Sequence, residues 1–102
     1  MKSHAFHPEA RAEFRAEIRF YETQRPGHGW RFNDEVAAVV RHACAFPESG
    51  SPAGGGVRKL VTARFPFLIY YELIHDRVVI WAVMHGARRP GYWRRRRESP
   101  PL

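Results

Sequence analysis

Apolar residues recur every three or four positions in the first half of the chain, a spacing typical of amphipathic helices. Over residues 8–24 the apolar face consists of Ala10, Phe14, Ile18 and Tyr21. We expect this helix to begin at Pro8, because proline is favoured at the first helical position, where its missing N–H needs no partner. Rows of acidic and basic side chains flank the apolar face, and we interpret them as solvated surfaces.

A second helix is predicted from near Trp30 to Phe46, after residues 25–29, whose Pro and Gly break the first helix. Its apolar face repeats at the same spacing and comprises Phe32, Val36, Val39, Ala43 and Phe46. Pro47 then ends the helix. Two helices joined by so short a loop are expected to lie antiparallel as a hairpin.

The second half of the chain shows the alternation of β-strands. Residues 57–63 alternate, residues 67–73 place Phe67, Ile69 and Tyr71 on one face, and residues 78–84 are apolar on both faces. In residues 78–84, strict alternation predicts that Ala82 and Met84 lie on one face of the strand, and that Val79, Trp81 and Val83 lie on the other face. A strand that is apolar on both faces is covered on both sides. We expect the helical hairpin to cover one face and a partner protein to cover the other.

The remaining segments complete the predicted topology. Residues 2–6 are predicted to form an edge strand, and the Gly- and Ser-rich residues 49–56 a flexible loop. The order β-α-α-β-β-β predicts an α+β domain, with an antiparallel helical hairpin packed on a mostly antiparallel sheet. We expect residues 1–97 to form this single domain. The Arg-rich tail from Arg94 is expected not to pack, and residues 98–102 to be disordered.

Positive charge is concentrated in the second half of the chain. The net charge is +7; residues 1–56 carry seven basic and seven acidic side chains, whereas residues 57–102 carry ten basic and three acidic ones. Such a bias attracts phosphate backbones or an acidic protein. A solvated basic tail is the alternative interpretation.

Several classes of protein are disfavoured by the composition. Cys44 is the single cysteine, so no internal disulfide forms, which fits a reducing cytoplasm. No apolar run approaches the roughly 20 residues needed to span a membrane, and no secretory signal is visible. The only close histidine pair, His4 and His7, has no Cys or carboxylate spacing that completes a metal site.

Three blocks of sequence resemble a known family. They are Phe6-His7-Pro8-Glu9-Ala10, then Arg58 followed by Arg64-Phe65-Pro66-Phe67-Leu68-Ile69-Tyr70-Tyr71, and finally Ala82-Val83-Met84-His85-Gly86-Ala87-Arg88-Arg89-Pro90-Gly91-Tyr92-Trp93. Together they resemble the RelE/ParE superfamily of toxins from bacterial type II toxin–antitoxin modules, and are closer to the ParE-like branch than to the RelE-like ribonucleases.

The resemblance implies a growth-inhibiting toxin in the cytoplasm that needs no cofactor and no metal. A cognate antitoxin, whose C-terminal segment wraps the toxin, would hold it inactive. ParE-like members poison DNA gyrase by binding it, which is the function we expect here. The alternative is a RelE-like endoribonuclease that cuts mRNA in the ribosomal A site, so the resemblance leaves open whether the chain is an enzyme.

Candidate functional residues follow from both interpretations. If the chain cuts RNA, His85 is the candidate acid or base, and Arg64 and Arg89 are the candidates to stabilise the charged phosphate. Tyr92 could stack on a base or act as the acid. Arg64 matches a basic position used by the ribonuclease branch. The residues expected to contact a target or a phosphate are Arg58, Lys59, Arg64, Arg88, Arg89, Tyr92 and Trp93.

Structural roles explain the same residues equally well at this stage. A histidine at a strand end is commonly held by hydrogen bonds rather than used in catalysis. Arg88 and Arg89 could bind acidic groups of the antitoxin, and Tyr92 and Trp93 could cap the core. The complete Lys, Arg and Tyr set of the ribonuclease branch has no full equivalent in this sequence.

Overall fold

The computed structural model of the protein describes residues 1–89 and 91–101. Pro90, within the last of the three sequence blocks, and Leu102, at the end of the tail, lie outside the described residues. In chain order the elements are β1 (Ser3–Phe6), α1 (Pro8–Gln24), α2 (His28–Ala45), β2 (Ser51–Gly54), β3 (Val57–Val61), β4 (Phe67–Ile74), β5 (Arg77–His85) and a C-terminal 3-10 helix (Arg94–Glu98).

The five strands form one sheet in the order β1-β5-β4-β3-β2. Only β1 and β5 are parallel; the other neighbours are antiparallel. The predicted α+β fold, with a helical hairpin on a mostly antiparallel sheet, is confirmed. The prediction of a loop over residues 49–56 is wrong in part, because Ser51–Gly54 forms β2. The free edge of β3 supplies the hydrogen-bonding partners for this short strand, whose own sequence has no alternation.

The helical hairpin turns sharply at residues 25–27, and α2 begins at His28, two residues before the predicted start at Trp30. The Glu22 carboxylate of α1 accepts the backbone N–H groups of Gly27 and Gly29, at 2.8 and 3.1 Å. These bonds satisfy donors that the first turn of a helix leaves free. A Cβ on Gly29 would lie 2.3 Å from the carbonyl oxygen of Ile18. Only glycine therefore allows the two helices to approach this closely.

His7 caps the start of α1 with its side chain. The ring is buried, and its Nδ1 accepts the backbone N–H of Glu9 at 3.1 Å. Burial lowers the pKa of His7 below its usual value of 6.5, although the negative charge of Glu9 opposes this. The folded state therefore favours the neutral ring, because a protonated Nδ1 could no longer accept the hydrogen bond.

We expect this cap to make the protein less stable in mild acid. The pKa of His7 is lower in the folded state than in the unfolded state. The cap therefore makes its full contribution to the free energy of unfolding above about pH 6.5, and this contribution is lost as the pH falls through the folded-state pKa. The loss should be on the order of 1 kcal/mol, the value of a helix cap. The variant His7→Asn keeps a capping acceptor that does not titrate. Denaturant unfolding at pH 7 and at about pH 5 should therefore show that its free energy of unfolding depends less on pH than that of the unchanged protein. Equal pH dependence in both proteins would contradict this role.

The sheet separates two apolar cores. The inner core lies between the sheet and the helices and consists of Phe32, Val36, Val40, Ala43, Cys44, Phe65, Phe67, Ile69, Tyr71, Val78, Ile80 and Val83. The outer core lies on the opposite face and consists of Val57, Tyr70, Val79, Trp81, Ala82, Met84 and Trp93. The apolar character of both faces of β5 is therefore confirmed. The expectation that a partner covers the outer face is wrong for these residues, because the chain's own Trp93 packs there.

A β-bulge changes which side chains of β5 face the helices. Tyr70 pairs with Ala82, but the next residue, Tyr71, pairs with Ile80, so Trp81 has no partner in β4. The extra residue places both Trp81 and Ala82 in the outer core and shifts Val83 to the inner core. The strict alternation predicted for this strand is therefore wrong after Ile80.

The edge of β5 continues beyond the end of β1, and other groups occupy the place of the missing strand. The carbonyl of Ile80 accepts the N–H of His7 at 2.9 Å. The next carbonyl, that of Trp81, accepts from Nη1 of Arg96 at 3.0 Å. Buried carbonyl groups need such partners, because an unpaired polar group away from water is costly. A side chain of the C-terminal tail thus provides the hydrogen-bond partner for a backbone carbonyl at this edge of the sheet.

The expectation that the tail from Arg94 would not pack is wrong. Residues 94–98 form the 3-10 helix, and the carboxylates of Glu13 and Glu72 bind Arg96 and Arg97 through pairs of hydrogen bonds. Two of the four arginine charges that suggested a solvated tail are therefore balanced by acids from α1 and β4. The division into residues 1–97 and a disordered 98–102 stays a prediction.

Candidate functional site: a basic rim at the end of the last strand

One end of the molecule collects basic residues from separate elements. His85, the last residue of β5, pairs with Phe67, and the N–H of Gly86 donates to the carbonyl of Pro66 at 2.7 Å. These contacts place the β5 exit beside the loop that connects β3 to β4. We call Arg64, His85, Arg88 and Arg89 the basic rim; all four are exposed.

His85 is held by its neighbours rather than by an acid. Its Nδ1 accepts the N–H of Ala87 at 3.0 Å, and its ring makes an edge contact with Phe67 at 5.4 Å between centroids. Because Nδ1 is an acceptor, a neutral His85 carries its proton on Nε2. In this form the ring offers a proton donor to the solvent, and it can act as a base at Nε2 only after changing tautomer.

Arg88 and Tyr92 both face Glu13 of α1. Nη1 of Arg88 lies 3.6 Å from Oε2 of Glu13, and the guanidinium lies over the Tyr92 ring at 4.2 Å from its centroid. The Tyr92 hydroxyl donates a hydrogen bond to the same carboxylate. Burial, reinforced by this bond to Glu13, raises the pKa of Tyr92 above its usual value of 10. The hydroxyl is therefore a weaker acid than an ordinary tyrosine, and it is poorly suited to protonate a leaving group at neutral pH.

Trp93 is completely buried. Its ring packs on Tyr70 with centroids 4.9 Å apart, and the guanidinium of Arg94 covers it at 4.6 Å. Its side chain can contact a target only if the segment around it moves.

The predicted residues of β3 lie on opposite sides of the sheet. Arg58 points to the helix side, where its Nη1 donates to the carbonyl of Gly50 at 2.8 Å. Lys59 lies on the outer face, opposite Tyr70 in the register. Arg64 lies in the loop after β3; its backbone N–H donates to Oε1 of Glu35 at 2.8 Å, while its guanidinium has no partner among residues 1–89 and 91–101. The structure therefore brings Arg64 to the rim with His85 and Arg89, and holds Arg58 in an internal contact.

Two basic residues near Arg64 were not predicted from the sequence. Arg25 and Arg31 line the same pocket as Arg64, at the tip of the helical hairpin. In the sequence, residues 25–29 signal only a helix break, and nothing there indicates that the β3–β4 loop packs against the tip. The only available signal was the basic character of the break itself.

Two kinds of feature are absent from residues 1–89 and 91–101. No helix there is both long and apolar enough to cross a membrane. Within the same residues, no three His, Cys, Asp or Glu side chains are grouped so that they could hold a metal ion.

Comparison with known proteins decides the family. The family described as "ParE toxin of type II toxin-antitoxin system, parDE" matches residues 5–90, which is most of the chain. The chain belongs to this ParE toxin family. No curated protein matches the sequence.

A solved structure shares the ParE fold. It is described as "Chromosomal ParDE TA system from P. aeruginosa" and matches with a TM-score of 0.72 and 21% sequence identity, covering 83% of this chain and 96% of the other. At this identity the match concerns the fold alone. In this ParE family member, the matched residues end at the basic rim, and the 3-10 helix that carries Arg96 and Arg97 lies beyond them.

Proposed function

We propose that this protein is the toxin of a parDE-type module, that it inhibits growth by binding DNA gyrase in the cytoplasm, and that a cognate antitoxin neutralises it. The observation that carries the proposal is the ParE family match over residues 5–90. The structural relative, which is described as a ParDE toxin–antitoxin system, supports an antitoxin partner.

The surface properties agree with binding to acidic partners. Arg64 and Arg89 are exposed, and neither guanidinium has a partner among the described residues. An antitoxin segment with acidic residues would complement this surface, and so would the phosphates of DNA held by gyrase. Both contacts would weaken as the salt concentration rises.

The alternative function, cleavage of mRNA on the ribosome, is favoured by one observation: the exposed His85 lies beside the loop that carries Arg64. It has less support, because Nδ1 of His85 is already an acceptor and the hydroxyl of Tyr92 is bound to Glu13. Metal-free cleavage needs a base, an acid and a cation around one phosphate.

Two parallel assays distinguish these functions. The full chain, purified free of antitoxin, is added to gyrase with supercoiled plasmid, and separately to ribosomes programmed with mRNA. We expect trapped, cleaved plasmid DNA in the first assay and no A-site cuts in the second. Cuts in the mRNA that disappear in His85→Ala, without any effect on gyrase, would contradict the proposal.

Two controls complete this experiment. The change Arg64→Gln/Arg89→Gln should weaken the effect on gyrase about tenfold or more, whereas Arg15→Gln/Arg19→Gln, on an exposed side of α1, should leave it within about twofold.

In cells, co-expression of a short neighbouring reading frame that encodes the antitoxin should restore growth. Continued growth on induction of the toxin alone would contradict the assignment.

A further inference from the structure

A pocket of about 370 Å³ lies between the hairpin tip and the loop that connects β3 to β4. We call it the tip pocket. Three arginines from three different segments line it: Arg25 follows α1, Arg31 lies in the first turns of α2, and Arg64 lies in the β3–β4 loop. The tertiary structure therefore gathers these charges from positions far apart in the sequence.

The three guanidinium groups have no partners among the described residues. All three side chains are exposed, and none makes a hydrogen bond, an ion pair or a ring contact within the part of the chain that the structure describes. By contrast, Arg96 and Arg97 each bind a carboxylate through two hydrogen bonds. Like charges around one concave surface repel each other unless an anion lies between them.

The wall of the tip pocket is held by ring contacts and hydrogen bonds, and it contains a buried polar atom without a partner in the described part of the chain. The ring of His28 packs against Tyr21 at 5.2 Å and against Phe65 at 5.0 Å between centroids. Its Nδ1 is buried and has no hydrogen-bond partner among the described residues. Glu22 fixes the turn before it by accepting the N–H groups of Gly27 and Gly29. A preformed pocket loses less conformational freedom when it binds a ligand.

One acidic side chain also lines the tip pocket. Glu35 accepts the backbone N–H of Arg64 at 2.8 Å, and it lies more than 4.0 Å from the guanidinium groups around it, so it forms no ion pair with them. Its negative charge opposes an anionic ligand. With three arginines against one carboxylate, the lining nevertheless remains positive.

We propose that the tip pocket binds a phosphate group of a nucleic-acid backbone. The planar guanidinium fork matches phosphate oxygens in pairs. The N–H of Gly86 donates to the carbonyl of Pro66 at the edge of the tip pocket, so the pocket adjoins the basic rim. The rim contains Arg89, whose guanidinium has no partner among residues 1–89 and 91–101. A chain of phosphates can use both surfaces, whereas a single small phosphate uses only the tip pocket. This inference goes beyond the proposed function and does not depend on the identity of the toxin's target.

Fluorescence anisotropy with a labelled DNA duplex of about 20 base pairs tests the proposal. The tip variant is Arg25→Gln/Arg31→Gln/Arg64→Gln. The matched control is Arg15→Gln/Arg19→Gln/Arg41→Gln, which removes the same charge from exposed helix positions whose side chains also have no partner within the described part of the chain. We expect the tip variant to bind at least about tenfold more weakly and to lower the slope of log K against log salt by about 1, the change for one lost phosphate contact, whereas the control changes affinity less than about threefold.

Two competitors separate the possible sources of the anion. Excess unlabelled duplex should displace the labelled duplex, and inorganic phosphate at the same ionic strength should do so only weakly. Strong competition by inorganic phosphate would assign the tip pocket to a small phosphate ligand and overturn the backbone assignment. Equal losses in the tip and control variants would show general attraction by net charge and would also overturn it.

An acidic peptide is the remaining alternative ligand. If the tip variant loses affinity for a labelled polyglutamate peptide but not for the duplex, the tip pocket serves a protein partner and the proposal is wrong. Thermal unfolding followed by circular dichroism checks that the tip variant folds. If it does not fold, the single change Arg31→Gln is used in its place, because it removes only one of the three charges. Because these assays contain neither gyrase nor ribosomes, their outcome is separate from that of the proposed function.

Discussion

Replacing Trp93 with alanine is expected to lower the free energy of unfolding by about 4 kcal/mol, the cost of removing a large buried aromatic ring. Trp93 has no exposed surface and joins the outer core, where it packs on Tyr70. Its removal leaves a cavity over β5 and loosens the segment that carries Arg96 and Arg97. For a domain of this size the midpoint of thermal unfolding should fall by more than about 15 °C.

Trp30→Ala is the matched control for this change. Trp30 is 62% exposed at the start of α2, so its loss should cost less than about 1 kcal/mol. Trp93→Phe should give an intermediate result, under about 2 kcal/mol, because the indole N–H of Trp93 has no hydrogen-bond partner among the described residues that the change would remove. Denaturant unfolding of the three variants measures their losses in the free energy of unfolding, which should be largest for Trp93→Ala and smallest for Trp30→Ala. Similar losses for Trp93→Ala and Trp30→Ala would contradict the role of Trp93 in the outer core.

The change Glu13→Gln is expected to destabilise the protein by about 3 kcal/mol, the cost of breaking a buried ion pair from one side. Oε1 and Oε2 of Glu13 each lie 2.9 Å from a guanidinium nitrogen of Arg96. The two side chains are only 14% and 9% exposed. Removal of the carboxylate charge therefore leaves the Arg96 cation poorly solvated, and it weakens the bond that holds the hydroxyl of Tyr92.

Glu9→Gln provides the comparison for Glu13. Glu9 lies one turn earlier on α1, its side chain is 64% exposed, and its carboxylate is 3.9 Å from Arg96. Its change should cost less than about 1 kcal/mol. In a double-mutant cycle, Arg96→Met combined with Glu13→Gln should cost less than the sum of the single changes. Additive effects would show that the pair is not coupled and would contradict the proposed role of Glu13.

Both predictions concern the segment for which the sequence analysis was least accurate. A run of four arginines followed by Glu-Ser-Pro-Pro is typical of a solvated tail, and composition alone favours that interpretation. The acids that bind Arg96 and Arg97 lie more than 20 residues away in the chain, at Glu13 and Glu72. Their pairing depends on how α1 and β4 are placed around β5, and no local pattern reports it.

The helices and the main strands were predicted well because their signals are local. The repeat of Ala10, Phe14 and Ile18 depends only on the period of the helix, and the alternation of β3 and β4 depends only on the pleat of the strand. The short strand β2 was missed because its pairing with β3, rather than its own residues, creates it. The bulge at Trp81 was missed for the same reason, since it is a property of the register between two strands.

The sequence by itself determined the two-helix, mostly antiparallel α+β fold and the family resemblance. These follow from the spacing of apolar residues and from motifs that are continuous in the chain. Only the tertiary structure decided that Trp93 covers the outer core, that Glu13 binds Arg96, and that Arg25, Arg31 and Arg64 meet at the tip pocket. The physical reason is that these contacts join residues far apart in the chain, so they exist only once packing of the sheet against the helices has fixed the relative positions of the segments.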